Sequence, residues 1–504
     1  MKIFAPHATD FYKTGHPSQN PEGTEVIYAN MTARSDRLAN MPADFDHKIV
    51  VANIQGTMKW MLRDLWNETF FQQPKAKVLD KYKRRMDSSL GEGVVGTDHI
   101  AELHDLGYMP LHVKALPEGS RVNIGVPFLT AQNTHNDFKW LAPWLTNYVE
   151  TAKSSELWKA INVATIAYEF RRLLDHYAEI TGSNPQFVDF QGHDFSARGV
   201  GGIHDAAAHQ IGHLFSFKGT DTILSIDYLE DYYDCGSEFI GGSVPATEHS
   251  VTCLGGRENE VETIRRIISK VYPSGVISVV SDTWNYWDTL TVTAPKLKEA
   301  ILSRKPNGLG LAKVVFRPDS GDPEKIICGD ADAEPGSREY KGSLELLWEV
   351  FGGTVNEKGF KVLNPRVGLI YGDSITLPRA RAILEHMRQL GWASENIVFG
   401  IGSYTYQYHT RDTFGIAYKT TWGQINGVAV ETMKDPITDR GTKKSALGLL
   451  RVEKDGENFV LHQQQTREQE RRGELRTVFL NSVVYGEDVN SLPNIRTRLL
   501  NPAA

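Results

Sequence analysis

The sequence predicts an α/β protein: an irregular TIM-like parallel α/β barrel with a smaller α+β layer built from both chain ends. The first observation is a recurring unit between about residues 185 and 405, in which a short apolar run is followed by glycine with polar or charged residues and then by helical periodicity. The runs end as "FVDFQGHDF", "HLFSFKGTD", "GSVPATEHS", "VISVVSDT", "VVFRPDSG", "VGLIYGDS" and "NIVFGIGS". Strands alternating with helices in this way pair in parallel across helical crossovers. The second observation is that the flanks read differently, with strand-like runs and turns at both ends of the chain.

From the N-terminus, residues 1–150 contain a strand-like "EVIYANM", a helix around "GTMKWMLRDLW" and the β-rich "HVKALPEGSRVNIGVPFLT". Residues 151–424 are assigned to the barrel. Within them "LPRARAILEHMRQLG" places Leu377, Ala380, Ile383, Leu384 and Met387 on one stripe and stops at Gly391, so "VGLIYGDS", this helix and "NIVFGIGS" form a β-α-β unit. The stretch from Ile327 to Gly359, with "CGDADAEPGSREYKG", reads as a surface excursion. Residues 425–504 read as a β-rich region packing on the N-terminal one, with a D-G turn inside "GLLRVEKDGENFVLHQQQ".

Composition narrows the function classes. The 504 residues are 40% hydrophobic and 23% charged, and no apolar run approaches the ~18 residues of a membrane span. "MKIFAPHATDFYKTGHP" lacks the apolar region of a secretory signal, so a cytoplasmic location is expected. The three cysteines, Cys235, Cys253 and Cys328, have no C-x-x-C spacing and are expected to be reduced. A net charge of −7 argues against a general nucleic-acid binder, although it leaves room for a basic pocket facing a small anion.

In a parallel barrel, functional groups collect where strands end. The strand ends offer His193, Asp194, Arg198, Asp221, His249, Asp282, Arg317, Asp319, Asp373 and the turn at Gly400 and Gly402. "RPDSG" joins Arg317, a fork suited to phosphate, with Asp319, which suits a ribose hydroxyl or a magnesium-bound water; the alternative is an ion pair closing a turn. The turn at Gly402 can bring backbone N–H groups to phosphate. His249 in "ATEHS" lies beside an acid and a hydroxyl, with Asp282 one strand on. A carboxylate accepting from Nδ1–H would leave Nε2 as nucleophile or base, whereas a capped helix start is the plainer reading. "HQIGH" has the i, i+4 spacing of a zinc helix, but Gln210 stands where a metalloprotease needs glutamate. P-loop, Rossmann and α/β-hydrolase signatures are absent. The residues by themselves lead to a barrel enzyme acting on a phosphorylated sugar.

"DFYKTGH", "HDFSARGV", "FKGTDT", "SVPATEHS", "VVSD", "RPDSG", "GDS", "NIVFGIGS", "TRDT" and "MKDP", in this order, resemble the nicotinamide phosphoribosyltransferases of the nicotinate phosphoribosyltransferase superfamily, from Asp10 to about Lys444. The resemblance implies transfer of the phosphoribosyl group of phosphoribosyl pyrophosphate to nicotinamide, with Mg2+, with ATP as co-substrate, and in a homodimer with shared active sites. It implies that Phe195 stacks on the pyridine ring, that Tyr12 of the second subunit covers the other face, that Arg198 lies near ring and phosphate, and that Asp221 meets the carboxamide. His249 matches the histidine phosphorylated by ATP, and Asp282 its supporting acid. Arg317 and Asp319 match ribose and phosphate contacts. Asp373, Gly402 and Ser403 fall on the ribose and 5′-phosphate side, and Arg34, Arg411, Lys419, Lys434 and Lys443 around the diphosphate and nucleotide. Asp319 and Asp373 could reach the metal through water. Ser196, Ser403, Tyr404 and Thr405 depart from smaller residues of the family. A nicotinate phosphoribosyltransferase and a catalytically silent binding protein on the same fold are the alternatives; the intact polar rim argues against the second.

Overall fold

The structure is a computed structural model that describes residues 3–150, 157–372, 374–434, 438 and 445–501. Six parallel strands form one sheet in the order Gly219–Thr220, Gly192–Asp194, Ile397–Ile401, Val367–Tyr371, Ala312–Arg317, Gly275–Val280. The seventh predicted run, "GSVPATEHS", is not a regular strand. It makes single parallel bridges at both ends of the row, Gly242 to Gly219 and Ala246 to Ser278, and so joins the two edge strands into a ring. Proline at 245 withholds a ladder donor there, and the segment still accepts from Ser278 N–H through the Pro245 carbonyl at 2.9 Å. Ile277, Val279, Val314, Phe316, Leu369, Phe399 and Ile401 face outward and pack with the crossover helices in one buried core.

The expected helix spans Leu377–Gln389 and buries the predicted stripe of Leu377, Ala380, Ile383, Leu384 and Met387. Residues 327–359 are not a surface excursion. Arg338–Phe351 is a helix whose Leu344, Leu346, Leu347 and Phe351 are buried against the barrel, serving as a crossover between two neighbouring strands. The polar run "CGDADAEPGSREYKG" hid it, because the run covers both the preceding loop and the first turn of the helix, and the apolar face begins only at Leu344.

The second layer is a seven-stranded antiparallel sheet drawn from both chain ends, with Thr24–Thr32, Leu111–Ala115 and Pro127–Asn133 beside Ala417–Ile425, Val428–Glu431, Arg476–Leu480 and Val483–Val484. Residues 417–424, placed with the barrel from sequence, pair with Thr24–Thr32 in this sheet instead. The Leu449–Asp455 and Asn458–Gln465 strands form the expected hairpin around Gly456. The helix Leu157–Thr181 links the layers: its first turns join the core of the mixed sheet, and Phe170, Leu174 and Tyr177 join that of the barrel. Among the described residues no helix is long and apolar enough to cross a membrane.

Glu118 ties this layer to the helix Ile223–Tyr232, which follows Asp221. It is fully buried and accepts from the N–H groups of Asn53 and Gln55 at 2.7 Å and from the Tyr233 hydroxyl at 3.1 Å. Burial outweighs these bonds and pushes its carboxyl up to about 7. A folded-state value raised above the unfolded one means stability that is full below pH ~4 and is lost as pH rises through about 7. Stability should therefore fall by about 2 kcal/mol between pH 5 and 8, and Glu118→Gln should flatten that slope in urea unfolding curves.

Candidate active site

The rim is assembled by the strand ends and by the 242–249 segment that closes the ring. After Gly219–Thr220 comes Asp221. Its Oδ1 accepts from His193 Nε2 at 2.9 Å and from Ser243 Oγ at 2.5 Å, while Oδ2 has no hydrogen-bond partner among the described residues. Burial would raise its carboxyl, but hydrogen bonds from His193 and Ser243, with the more distant Arg317 charge, outweigh it and hold Asp221 below the ordinary value. It does not cap the following helix: Thr222 is the N-cap residue, and no side chain caps there. The neighbouring Asp194 is fully buried and is consumed structurally, accepting from Ser196 N–H at 2.9 Å and Thr222 Oγ1 at 2.7 Å. Phe195 packs its ring 4.6 Å from that of His193, half-buried, with Arg198 exposed beyond it.

Across the ring, His249 is the first residue of the helix His249–Gly255, preceded by Glu248, which makes no side-chain cap. Its Nε2 lies 3.0 Å from Asp282 Oδ1, so the nitrogen left facing outward is Nδ1, the reverse of the expected arrangement. The reason is local. A histidine opening a helix directs its ring back along the chain, and Asp282 reaches it from the adjacent strand end at the ring's far nitrogen. The Asp282 side chain is 4% exposed, against 46% for His249. Its Oδ2 accepts from Asp319 N–H at 2.9 Å and Ser320 Oγ at 2.6 Å. Burial would raise this acid too, and the bonds from Ser320, Asp319 and His249 reverse the sign and keep it ionised.

Arg317 donates from Nη2 to the Thr247 carbonyl at 2.8 Å, and its Nε stands 3.4 Å from Asp319 Oδ1. The ion pair and the rim position thus coexist. Two glycines make the approach possible: a Cβ on Gly372 would lie 2.1 Å from Asp319 Oδ1, and one on Gly400 would lie 2.8 Å from the Gly372 Cα. Because the second clash is with backbone, Gly400→Ala is expected to destabilise by about 2 kcal/mol in denaturant unfolding. Gly402 opens the short helix Ser403–Tyr406, Ser403 abuts Gly199, Thr405 Oγ1 donates to the Ile375 carbonyl at 2.7 Å, and Tyr404 stacks on exposed Tyr408 at 5.6 Å.

The structure therefore gathers Phe195, Arg198, Asp221, His249, Asp282, Arg317, Asp319, Gly402 and Ser403 around one rim. Asp373 and Lys443 lie outside the described residues. The remaining basic residues sit in or beside the mixed layer: Arg34 donates to the Gly415 carbonyl at 3.0 Å, Arg411 faces Asp412 at 3.3 Å, Lys419 is on the Ala417–Ile425 strand, and the Lys434 N–H donates to Ser445 Oγ at 3.0 Å. Tyr12, in the short helix Phe11–Thr14, is 63% exposed. Sequence reasoning missed Ser243 and Ser320, which hold the two key carboxylates. Their signal was a hydroxyl placed two residues past Gly241 and one past Asp319. His209 and His213 belong to no shared helix, since Ile203–Ala208 ends before one and Ile211–Leu214 contains the other.

A closed rim of this kind, with an ionised acid and an aromatic ring facing an arginine, a second acid and a backed histidine, belongs to a catalytic barrel that handles a phosphate-bearing group. Residues 190–483 match the nicotinate phosphoribosyltransferase (NAPRTase) family. A nicotinamide phosphoribosyltransferase of Acinetobacter baylyi is 59% identical over 98% of this chain and 96% of its own, and one of Mycoplasma pneumoniae is 33% identical over 88% and 94%. The crystal structure of nicotinate-nucleotide pyrophosphorylase from Pyrococcus furiosus shares the fold, with a TM-score of 0.56 at 15% identity over 99% of this chain and 95% of that one. The chain belongs to the nicotinate phosphoribosyltransferase family and is a phosphoribosyltransferase.

Proposed function

We propose that the enzyme transfers the phosphoribosyl group of phosphoribosyl pyrophosphate to nicotinamide, giving nicotinamide mononucleotide and diphosphate in NAD salvage, coupled to ATP hydrolysis through a phosphohistidine. The observation that carries nicotinamide rather than nicotinic acid is Asp221, an ionised acid whose Oδ2 is available to accept from a carboxamide N–H and would repel a carboxylate. The name of the relative at 59% identity supports the same reading.

In this reading Phe195 carries one face of the pyridine ring and Arg198 sits at its edge. Diphosphate departs as positive charge develops at the ribosyl carbon, and the ring nitrogen attacks that carbon. Arg317 meets the ribose and phosphate, Gly402 and Ser403 with Asp373 the 5′-phosphate side, and Arg34, Arg411, Lys419 and Lys434 the diphosphate. Asp319 offers one hard carboxylate beside the leaving group. A lone hard carboxylate of this kind fits a magnesium ion that would be held mainly by substrate phosphates and water. Such an ion supplies charge neutralisation of the leaving group. Nδ1 of His249 attacks the ATP γ-phosphorus, the β,γ P–O bond breaks and ADP leaves, while Asp282 accepts the Nε2–H; the phosphoryl group adds negative charge that organises the diphosphate side until water cleaves the P–N bond and releases phosphate.

The second face of the pyridine ring is assigned to Tyr12 of a second copy in a homodimer. Mixing Tyr12→Ala chains with His249→Ala chains should then restore about one ATP-coupled site per heterodimer. Absence of complementation would reject the shared site. The function itself is tested by incubating purified protein with nicotinamide and phosphoribosyl pyrophosphate, with and without ATP. Mononucleotide is expected in both, at higher yield with ATP; none in either would overturn the assignment.

A further inference from the structure

The histidines of "HQIGH" and a buried lysine take part in none of the chemistry above, yet their bonds end on three separate parts of the rim. Lys159, on the long helix Leu157–Thr181, has a side chain only 4% exposed. Its ammonium donates to the Asp205 carboxylate and to the Gln407 side-chain oxygen. Asp205 Oδ2 also accepts from the Gly201 N–H at 2.6 Å, and Oδ1 accepts from His209 Nδ1 at 2.6 Å. Burial would raise this carboxyl, but the bonds from His209 and Lys159 pull it down to about 2. Gly201 ends the loop that carries Phe195 and Arg198, and Gln407 closes the turn that Gly402 opens.

His213 makes the second connection. It is fully buried, with Nδ1 2.8 Å from the Tyr406 hydroxyl and Nε2 2.8 Å from the Gly219 carbonyl. Burial pushes its ring down to about 4, so it is neutral, accepting from Tyr406 and donating to Gly219. Gly219 lies two residues before Asp221. The loop at 195–201 and the strand end at 219–221 are therefore each braced to the turn at 402–407, by two buried polar clusters that meet at Tyr406 and Gln407.

We propose that Lys159, Asp205 and His213 are positioning residues, which fix the spacing of the ring-binding loop, the carboxamide-facing strand end and the phosphate-facing turn, and so align the attacking ring nitrogen with the ribosyl carbon. The proposal rests on the reading of nicotinamide phosphoribosyl transfer given above. Its physical basis is that a buried ion pair contributes little net stability over an apolar pair of similar volume, whereas its directional bonds hold three segments in one arrangement. Near-attack geometry is sensitive at this scale: a displacement of about 1 Å costs about a hundredfold in rate.

Three variants test it, each read by hydrogen exchange without substrate, by urea unfolding and by steady-state kinetics. Gln407→Leu cuts one end only. It should speed exchange at 402–410 but not at 195–201, and raise KM for the phosphoribosyl donor about tenfold while KM for nicotinamide changes by less than about twofold. The double variant Lys159→Met/Asp205→Leu should loosen both loops and lower kcat about a hundredfold with a nearly unchanged unfolding midpoint. His213→Leu should speed exchange at 219–221 and 402–407 together. Kinetic losses that merely track lost stability, with no segment-specific change in exchange, would overturn the proposal, as would a Gln407→Leu enzyme with wild-type exchange and KM. If the wild-type protein made no mononucleotide, the functional reading would fail separately, because exchange reports the cross-bracing whatever the substrate.

Discussion

Asp221→Asn is expected to cut the preference for nicotinamide over nicotinic acid by about thirtyfold while leaving the protein folded. Two like charges about 4 Å apart repel by about 4 kcal/mol at an effective dielectric constant of about 20. The Asp221 side chain is 42% exposed, and solvent screening there halves the figure to about 2 kcal/mol, which is about thirtyfold in discrimination. Asparagine keeps an oxygen at the position that accepts from His193 and Ser243, so the unfolding free energy should change by less than about 1 kcal/mol. Had Asp221 capped the following helix, stability would drop and preference would stay. The side chain points to His193 and Ser243 instead, so the order of the two effects is expected to be reversed. The ratio of kcat/KM for the two bases, measured beside a urea midpoint, separates these outcomes.

His249→Ala should abolish the ATP-dependent gain and the acid-labile incorporation of the ATP γ-phosphate, while nicotinamide still binds, because Phe195 and Asp221 stand on other strands of the ring. An alanine variant still stimulated by ATP would show that the nucleophile lies elsewhere. Asp282→Asn is a harsher change than it looks. Both its oxygens accept, Oδ2 from the Asp319 N–H and Ser320 Oγ and Oδ1 from His249 Nε2, so an amide in either orientation sets its NH2 against a donor in a site 4% exposed. About 1–3 kcal/mol of stability should be lost along with coupling, visible as a lower unfolding midpoint.

The parallel strands were legible because the apolar runs stop abruptly at glycine or at polar and charged residues, and the helix Leu377–Gln389 because its stripe repeats at helical spacing. What was not legible depends on partners distant in the chain. Ala417–Ile425 follows the barrel's last unit directly, and nothing within it says that its neighbour is Thr24–Thr32, nearly four hundred residues earlier. The same limit applies at the rim. Sequence placed His249 near Asp282 but set the wrong ring nitrogen against it, and it could not distinguish an Asp221 that caps from one that is held outward by Ser243. Lys159 gave no signal at all, since a lysine within an apolar helical run looks like a solvent-facing residue until its burial beside Asp205 is seen. In "HQIGH" the zinc-helix spacing was set aside because Gln210 replaces glutamate, and the structure divides the two histidines between two different jobs.

The most direct measurement is a competition in one vessel. Equimolar nicotinamide and nicotinic acid are given to the purified enzyme with a limiting amount of phosphoribosyl pyrophosphate, and the two mononucleotides are separated and counted. The product ratio equals the ratio of kcat/KM, independent of enzyme activity lost in purification. Nicotinamide mononucleotide is expected to dominate by at least about thirtyfold, falling towards parity in Asp221→Asn. Equal products, or an excess of nicotinic acid mononucleotide from the unmodified enzyme, would contradict the assignment of Asp221 and of the substrate with it.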